Sequence, residues 1–150
     1  MVTRKRFDDS ECPVARSVDA IGDWWSLLIV RDAFDGSRRF GEFQRSLGVA
    51  KNILTARLRT LVAGGVLESV PASDGSAYRE YVLTPKGKSL FPVIVALRQW
   101  GEQNFFAPGE EHSQLVDRRR GHRLRPLEVL SSDGRRMNPD DTTVHKISTR

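Results

Sequence analysis

A chain of 150 residues with 39% hydrophobic and 29% charged side chains has room for one domain with an appendage, and its composition is that of a soluble globular protein. No apolar run approaches the roughly 18 residues of a membrane span, and the basic N-terminus passes into acidic residues without the apolar stretch of a secretory signal. One cysteine and three scattered histidines exclude a disulfide scaffold and a cysteine-rich zinc site, so the expectation is a cytoplasmic protein without metal or cofactor. The net charge of +5 is concentrated: between Arg38 and Arg59 stand Arg38, Arg39, Arg45, Lys51, Arg57 and Arg59 against the single acid Glu42, leaving 18 basic and 18 acidic residues elsewhere. Such a local excess marks either a polyanion-binding face or a solvated helical face.

In chain order, apolar residues recur at helical spacing over Cys12 to Ile21 and Trp24 to Phe34, with Gly22 between them and Asp23 as the N-cap of the second helix. Asp35-Gly36-Ser37 is a turn, and Phe40, Phe43 and Leu47 mark one face of a short helix ending at Gly48. Ala50 to Gly64 reads as a further helix with Leu54, Leu58, Leu61 and Val62 on one side. Val66 to Val70 and Tyr78 to Leu83 read as a β-hairpin around Asp74-Gly75. Thr84-Pro85 then opens a long helix through Leu90, Val93, Ile94, Leu97 and Trp100, which Pro92 should kink or split. Its apolar stripe either covers the core or packs against the same helix of a second subunit, and Phe105 and Phe106, which extend it beyond what one small core would bury, favour the second.

Pro108-Gly109 marks a boundary, after which Gln114 to Asp117 and Leu124 to Leu130 read as short strands, with Ser131 to Gly134 as a turn and the end from about Pro139 poorly ordered. The chain is therefore expected to comprise a flexible arm (1–11), a main domain (12–106) and a linker with a small β tail (107–150). The fold class is α+β, mainly α: a winged helix-turn-helix with N- and C-terminal dimerisation helices and a small C-terminal β appendage.

In that arrangement Arg38 to Gly48 is the supporting helix and Ala50 to Gly64 the recognition helix. Turning Leu54, Leu58 and Leu61 inward puts Asn52, Ala56, Arg59 and Ala63 outward, with Thr55 and Arg57 on the flanks. Asn52 suits adenine, Arg57 or Arg59 guanine, and the Ala56 methyl a thymine methyl. Lys51 at the helix N-terminus suits a phosphate, as do Arg38 and Arg39 where the supporting helix crosses the DNA backbone. Arg79 is the best wing contact. For Arg57 and Arg59 the alternative is an ion pair with the scaffold; for Arg79 it is a structural strand arginine. Cys12, before Pro13, occupies an N-cap, where the helix dipole and free N–H groups favour a thiolate; the alternative is an inert packed cysteine. Trp24, Trp25 and Trp100 either line an effector pocket or belong to the core.

The runs Cys12-Pro-Val, Gly22-Asp-Trp-Trp-Ser-Leu-Leu-Ile-Val-Arg-Asp, Arg39-Phe-Gly-Glu-Phe-Gln, Asn52-Ile-Leu-Thr-Ala-Arg-Leu-Arg-Thr-Leu, Tyr81-Val-Leu-Thr-Pro-Lys-Gly and Trp100-Gly resemble, in order, the HxlR family of bacterial transcriptional regulators, relatives of the MarR group. The resemblance covers about residues 12 to 106. It implies a homodimer that binds double-stranded DNA at a palindromic operator, as repressor or activator, and that responds in several members to oxidants or electrophiles through a cysteine matching Cys12. Ala50 departs from the capping residue, often serine, found at this position. Residues 120–134 resemble the cysteine-ligated zinc ribbon of some members, with Arg, Leu and Asp where ligands would stand, so no metal is expected. Arg118-Arg119-Arg120 reads as a solvated basic turn or an added phosphate contact. No Ser/His/Asp or phosphate-cradling glycine signature supports an enzyme. The alternatives carried forward are a regulator answering a small molecule without redox chemistry, and a protein-interaction adaptor without DNA binding.

Overall fold

Local chemistry sets the helix ends. The Asp23 carboxylate accepts the backbone N–H of Ser26 at 2.9 Å and its hydroxyl at 2.6 Å, which starts α2 (Trp24–Phe34) after α1 (Pro13–Ile21). α3 (Phe40–Leu47) opens where the Glu42 carboxylate accepts the backbone N–H groups of Arg39 at 2.8 Å and Arg38 at 3.1 Å, and closes at Gly48 with a left-handed φ of 63°. α4 (Lys51–Ala63) has Ala50 at its N-cap with no side-chain cap. Its far end closes with two bonds: Val66 N–H to the Leu61 carbonyl at 2.9 Å and Gly65 N–H to the Val62 carbonyl at 3.0 Å. That pairing requires Gly65 at φ 74°.

An antiparallel hairpin follows, β1 (Leu67–Pro71) with β2 (Arg79–Leu83), in register Leu67 to Leu83 through Pro71 to Arg79. The predicted hairpin is present, its first strand shifted by one residue. The expected long helix divides into α5 (Pro85–Lys88) and α6 (Phe91–Asn104), with Pro92 in the first turn of α6, the position at which proline is tolerated. The Thr84-Pro-Lys-Gly run has a structural reason. Thr84 donates its hydroxyl to the Gly65 carbonyl and its N–H to the Val66 carbonyl, and Lys86 Nζ reaches the Gly64 carbonyl at 2.8 Å. A Cβ at Gly87 would stand 2.1 Å from the Val66 carbonyl oxygen. The run thus clamps the C-terminal end of α4 and tolerates only glycine at its last position.

The structure, a computed structural model, describes residues 5–147, which form two units, one ending at Ile94 and the other beginning at Val95. Residues 1–4 of the expected arm and 148–150 of the expected loose end lie outside the described residues. In the first unit Ile29, Val30, Phe43, Leu54, Leu58, Leu61, Val66 and Leu67 form the core. Phe7 N–H donates to Asp19 of α1 at 3.1 Å. In the second unit the Gln99 side chain accepts Leu127 N–H at 2.7 Å and donates to the Arg125 carbonyl at 3.1 Å, and Arg98 donates to Ser113. The strands expected at 114–117 and 124–130 do not form as ladders: the tail has single bridges, Val116 to Arg123 and Leu130 to Arg136. Pro126 removes a donor from the longer segment, and Leu124, Leu127, Val129 and Leu130 remain exposed. Residues 139–141 make a 3-10 turn where a loose end was expected.

Candidate nucleic-acid interface

Burial sorts the two sides of α4. Leu54, Leu58 and Leu61 are each 1% exposed, while Lys51, Asn52, Thr55, Ala56, Arg59 and Ala63 face outward. The predicted outward set Asn52, Ala56, Arg59 and Ala63 is thus exposed along the length of a helix anchored by three leucines, with Lys51 at its N-terminal end. The Thr55 hydroxyl donates back to the Lys51 carbonyl at 2.8 Å, so its proton is not available to a base edge while its oxygen can still accept.

The arginines fall into two classes. Arg57 is half-buried, its Nε 3.4 Å from the Asp23 carboxylate that caps α2, and that Nε makes no hydrogen bond with a described residue. It lies on the scaffold side of α4. Arg38 donates through Nε to Glu80 at 2.5 Å, and its carbonyl accepts Tyr81 N–H at 2.7 Å, so the entrance to α3 is hydrogen-bonded onto β2. Arg39 donates to Asp74 at the hairpin turn and stands over the Tyr78 ring, 5.5 Å from its centroid. Arg79 donates to the Ser69 carbonyl at 2.8 Å and hydroxyl at 3.1 Å across the strands. By contrast, Arg45, Lys51 and Arg59 make no ion pair with a described residue. The six cations counted between Arg38 and Arg59 thus divide evenly into three compensated by acids and three without an acidic partner among the described residues.

The compensating acids are strongly held. Glu80 is 2% exposed and accepts from Ser73 N–H at 2.5 Å and from the Ser73 hydroxyl and Arg38. The Ser73 amide, then the Arg38 guanidinium, bring its carboxyl down to about 2. The Ser76 amide and then Arg39 bring Asp74 down to about 2, and the Arg39 and Arg38 amides lower Glu42. Sequence reading missed Glu80, Asp74 and Asp23 as partners, since each lies 34 to 42 residues from its arginine and only tertiary structure brings them together. The legible signal was an acid at the wing tip.

Cys12 is exposed and is the N-cap of α1, with no side-chain cap bond and Pro13 following. Trp24 is 72% exposed and edge-on to Trp25, while Trp100 is 58% exposed and edge-on to Phe105. None of these tryptophans lines a groove of the first unit, about 650 Å³ between α1, the end of α4 and α5, whose walls include Arg16, Ile21, Leu61, Lys86, Leu90 and Val93. Among the residues expected at a subunit interface, Leu90 and Ile94 pack on the core, whereas Val93, Leu97, Trp100 and Phe105 are exposed. No group of three or more metal-binding side chains occurs among the described residues.

The model of the HxlR-like helix-turn-helix family matches residues 20–108. The chain belongs to this family. Members and relatives are transcriptional regulators rather than enzymes, and the expected DNA-binding winged-helix fold holds. The HTH-type transcriptional regulator Mb3122 of Mycobacterium bovis is 46% identical over 90 residues, 60% of this chain and 57% of that protein, so the match spans little more than half of the relative's length. Among solved structures, PA1607, assigned as a transcription factor, is 55% identical with a TM-score of 0.90, over 95% of this chain and all of that one. The redox regulator HypR in its oxidized form is 33% identical with a TM-score of 0.58, over 64% of this chain and all of that one. In this HxlR-like regulator no helix among the described residues is long and apolar enough to cross a membrane.

Proposed function

We propose that this HxlR-like regulator is a homodimeric repressor that places α4 of each subunit in the major groove of one half of a palindromic operator, with residues 12–106 as the DNA-binding and dimerisation domain. The observation that carries the reading is the outward face of α4, where Asn52, Ala56 and Arg59 are exposed and Arg59 is without an ion pair to a described residue. Asn52 and Arg59 read base edges, Thr55 and Ala56 contact thymine methyls, and Lys51 takes a phosphate at the helix N-terminus. Arg38, Arg39 and Arg79 flank the groove and position the wing on the backbone, Arg39 exchanging Asp74 for a phosphate. Arg57 holds the scaffold. Exposed apolar side chains favour dimerisation: Val14 and Val18 of α1 with Val93 in one unit, and Leu97, Trp100 and Phe105 in the other.

The exposed Cys12 and the likeness to HypR support control by oxidants. Two Cys12 thiols of a dimer would lose two protons and two electrons to diamide, joining as a disulfide while the diazene becomes a hydrazine. A second reading, control by a small molecule, is favoured by the groove beside α1 and α5, whose wall is mainly apolar and also carries Arg6, Arg16, Lys86, Asp8 and Asp19. The experiment is selection of genomic fragments by the purified protein, then binding to the best fragment with and without diamide for wild type and Cys12→Ser. An inverted repeat released on oxidation by wild type alone supports the redox reading. Binding indifferent to diamide leaves the small-molecule reading, and no enrichment contradicts DNA recognition.

A further inference from the structure

The second unit carries a basic feature that helix recognition does not use. Residues 118–125 read Arg-Arg-Arg-Gly-His-Arg-Leu-Arg, five arginines in eight residues with no acid. All are exposed, and none of the five arginines makes an ion pair with a described residue. The segment is nevertheless fixed. Asp117 accepts Arg119 N–H through its carboxylate at 2.8 Å and Gly121 N–H through its carbonyl at 2.7 Å, and donates its own N–H to the His122 carbonyl at 2.8 Å. Gly121 turns the chain at φ 73°, and Arg123 bridges back to Val116. Of the acids nearby in sequence, Asp117 holds this turn, Glu128 pairs with Arg136, Asp133 with Arg135, and Glu110 accepts Ala107 N–H, while Glu111 makes no ion pair with a described residue.

A solubilising stretch needs neither an ordered turn nor arginine in place of lysine. Consecutive residues of a tight turn splay their side chains, so Arg118, Arg119 and Arg120 do not converge on one small anion. They suit an extended polyanion, along which each planar guanidinium can take a separate phosphate in a two-pronged contact. We infer that the Arg118–Arg125 turn is a second DNA contact, gripping the phosphate backbone without regard to sequence. The inference rests on the DNA-binding reading and extends it to a surface outside the winged helix.

The test compares wild type, R118Q/R119Q/R120Q and R118K/R119K/R120K, as full chains, on the selected fragment and on a random duplex across a salt series. For every phosphate that the protein no longer neutralises, the slope of log K against log salt falls by about 0.9. The glutamine variant is expected to lose slope and affinity equally on both duplexes, with their affinity ratio and the urea midpoint unchanged, and the lysine variant to recover the slope. Wild-type slopes in the glutamine variant overturn this inference alone and leave α4 recognition standing. Loss of binding to phosphatidylglycerol vesicles with DNA binding unchanged also overturns it, assigning the turn to a membrane surface. A wild-type protein that binds neither duplex overturns the inference together with the reading beneath it.

Discussion

The outward face of α4 and the hairpin that flanks it stand beside cations put to opposite uses. On α4, Lys51 and Arg59 face outward without ion pairs to described residues, whereas beside the hairpin Arg38 and Arg39 are held by Glu80 and Asp74. The first arrangement leaves cations free to meet DNA; the second uses cations to hold a wing in place. Counting basic residues locates an interface, but only their partners distinguish the side chains that read from those that support.

The comparison breaks most completely if the inner face of α4 fails. Leu58→Ala empties a site 1% exposed and is expected to cost about 2–5 kcal/mol, read as a fall in urea midpoint with loss of all DNA binding. Gly87→Ala should act in the same direction through the end of α4, since the added Cβ meets the Val66 carbonyl oxygen. Next comes Arg59→Ala, expected to weaken operator binding by about 1–3 kcal/mol, roughly 5- to 150-fold, with a urea midpoint like wild type. The same measurement on Arg57→Ala should reverse the pattern, lowering the midpoint while preserving base preference.

The wing responds to acid. Glu80 and Asp74 titrate at about 2 in the folded chain, below the usual 4.5 and 3.8. Their contribution is present above those ordinary values and is lost as pH falls from about 4.5 through about 2. The urea midpoint of wild type should drop across that window, and Glu80→Gln should start lower at neutral pH and drop less. The smallest effect belongs to Asp74→Asn. It releases Arg39 and removes an acid from the wing tip, so DNA affinity should rise a few-fold at low salt and converge with wild type at high salt.

Much of this was legible where the signal is local. Asp23, Gly48 and the Gly64-Gly65 pair marked helix ends through capping chemistry, Pro92 divided the long helix, and leucine spacing gave the inner face of α4. What escaped depended on distance along the chain. Nothing near Arg38 indicates Glu80, so Arg38 reads as a phosphate contact, and nothing near Arg57 indicates Asp23, so the scaffold ion pair weighed for Arg57 had no partner to name. Thr84-Pro-Lys-Gly was legible as a helix start but not as the clamp on α4. In the tail, β-prone residues misled for a different reason: the described residues supply single bridges rather than a ladder, Pro126 interrupts the segment, and Leu124 to Leu130 stay exposed.

The most direct test of the central claim is parallel titration of the selected operator and a scrambled duplex by wild type, Arg57→Ala and Arg59→Ala. Arg59→Ala is expected to lose most of the preference for operator over scrambled DNA, while Arg57→Ala, once folded, keeps it. A folded Arg57→Ala that loses the preference, or an Arg59→Ala that retains it, would contradict the assignment of which arginine reads the DNA.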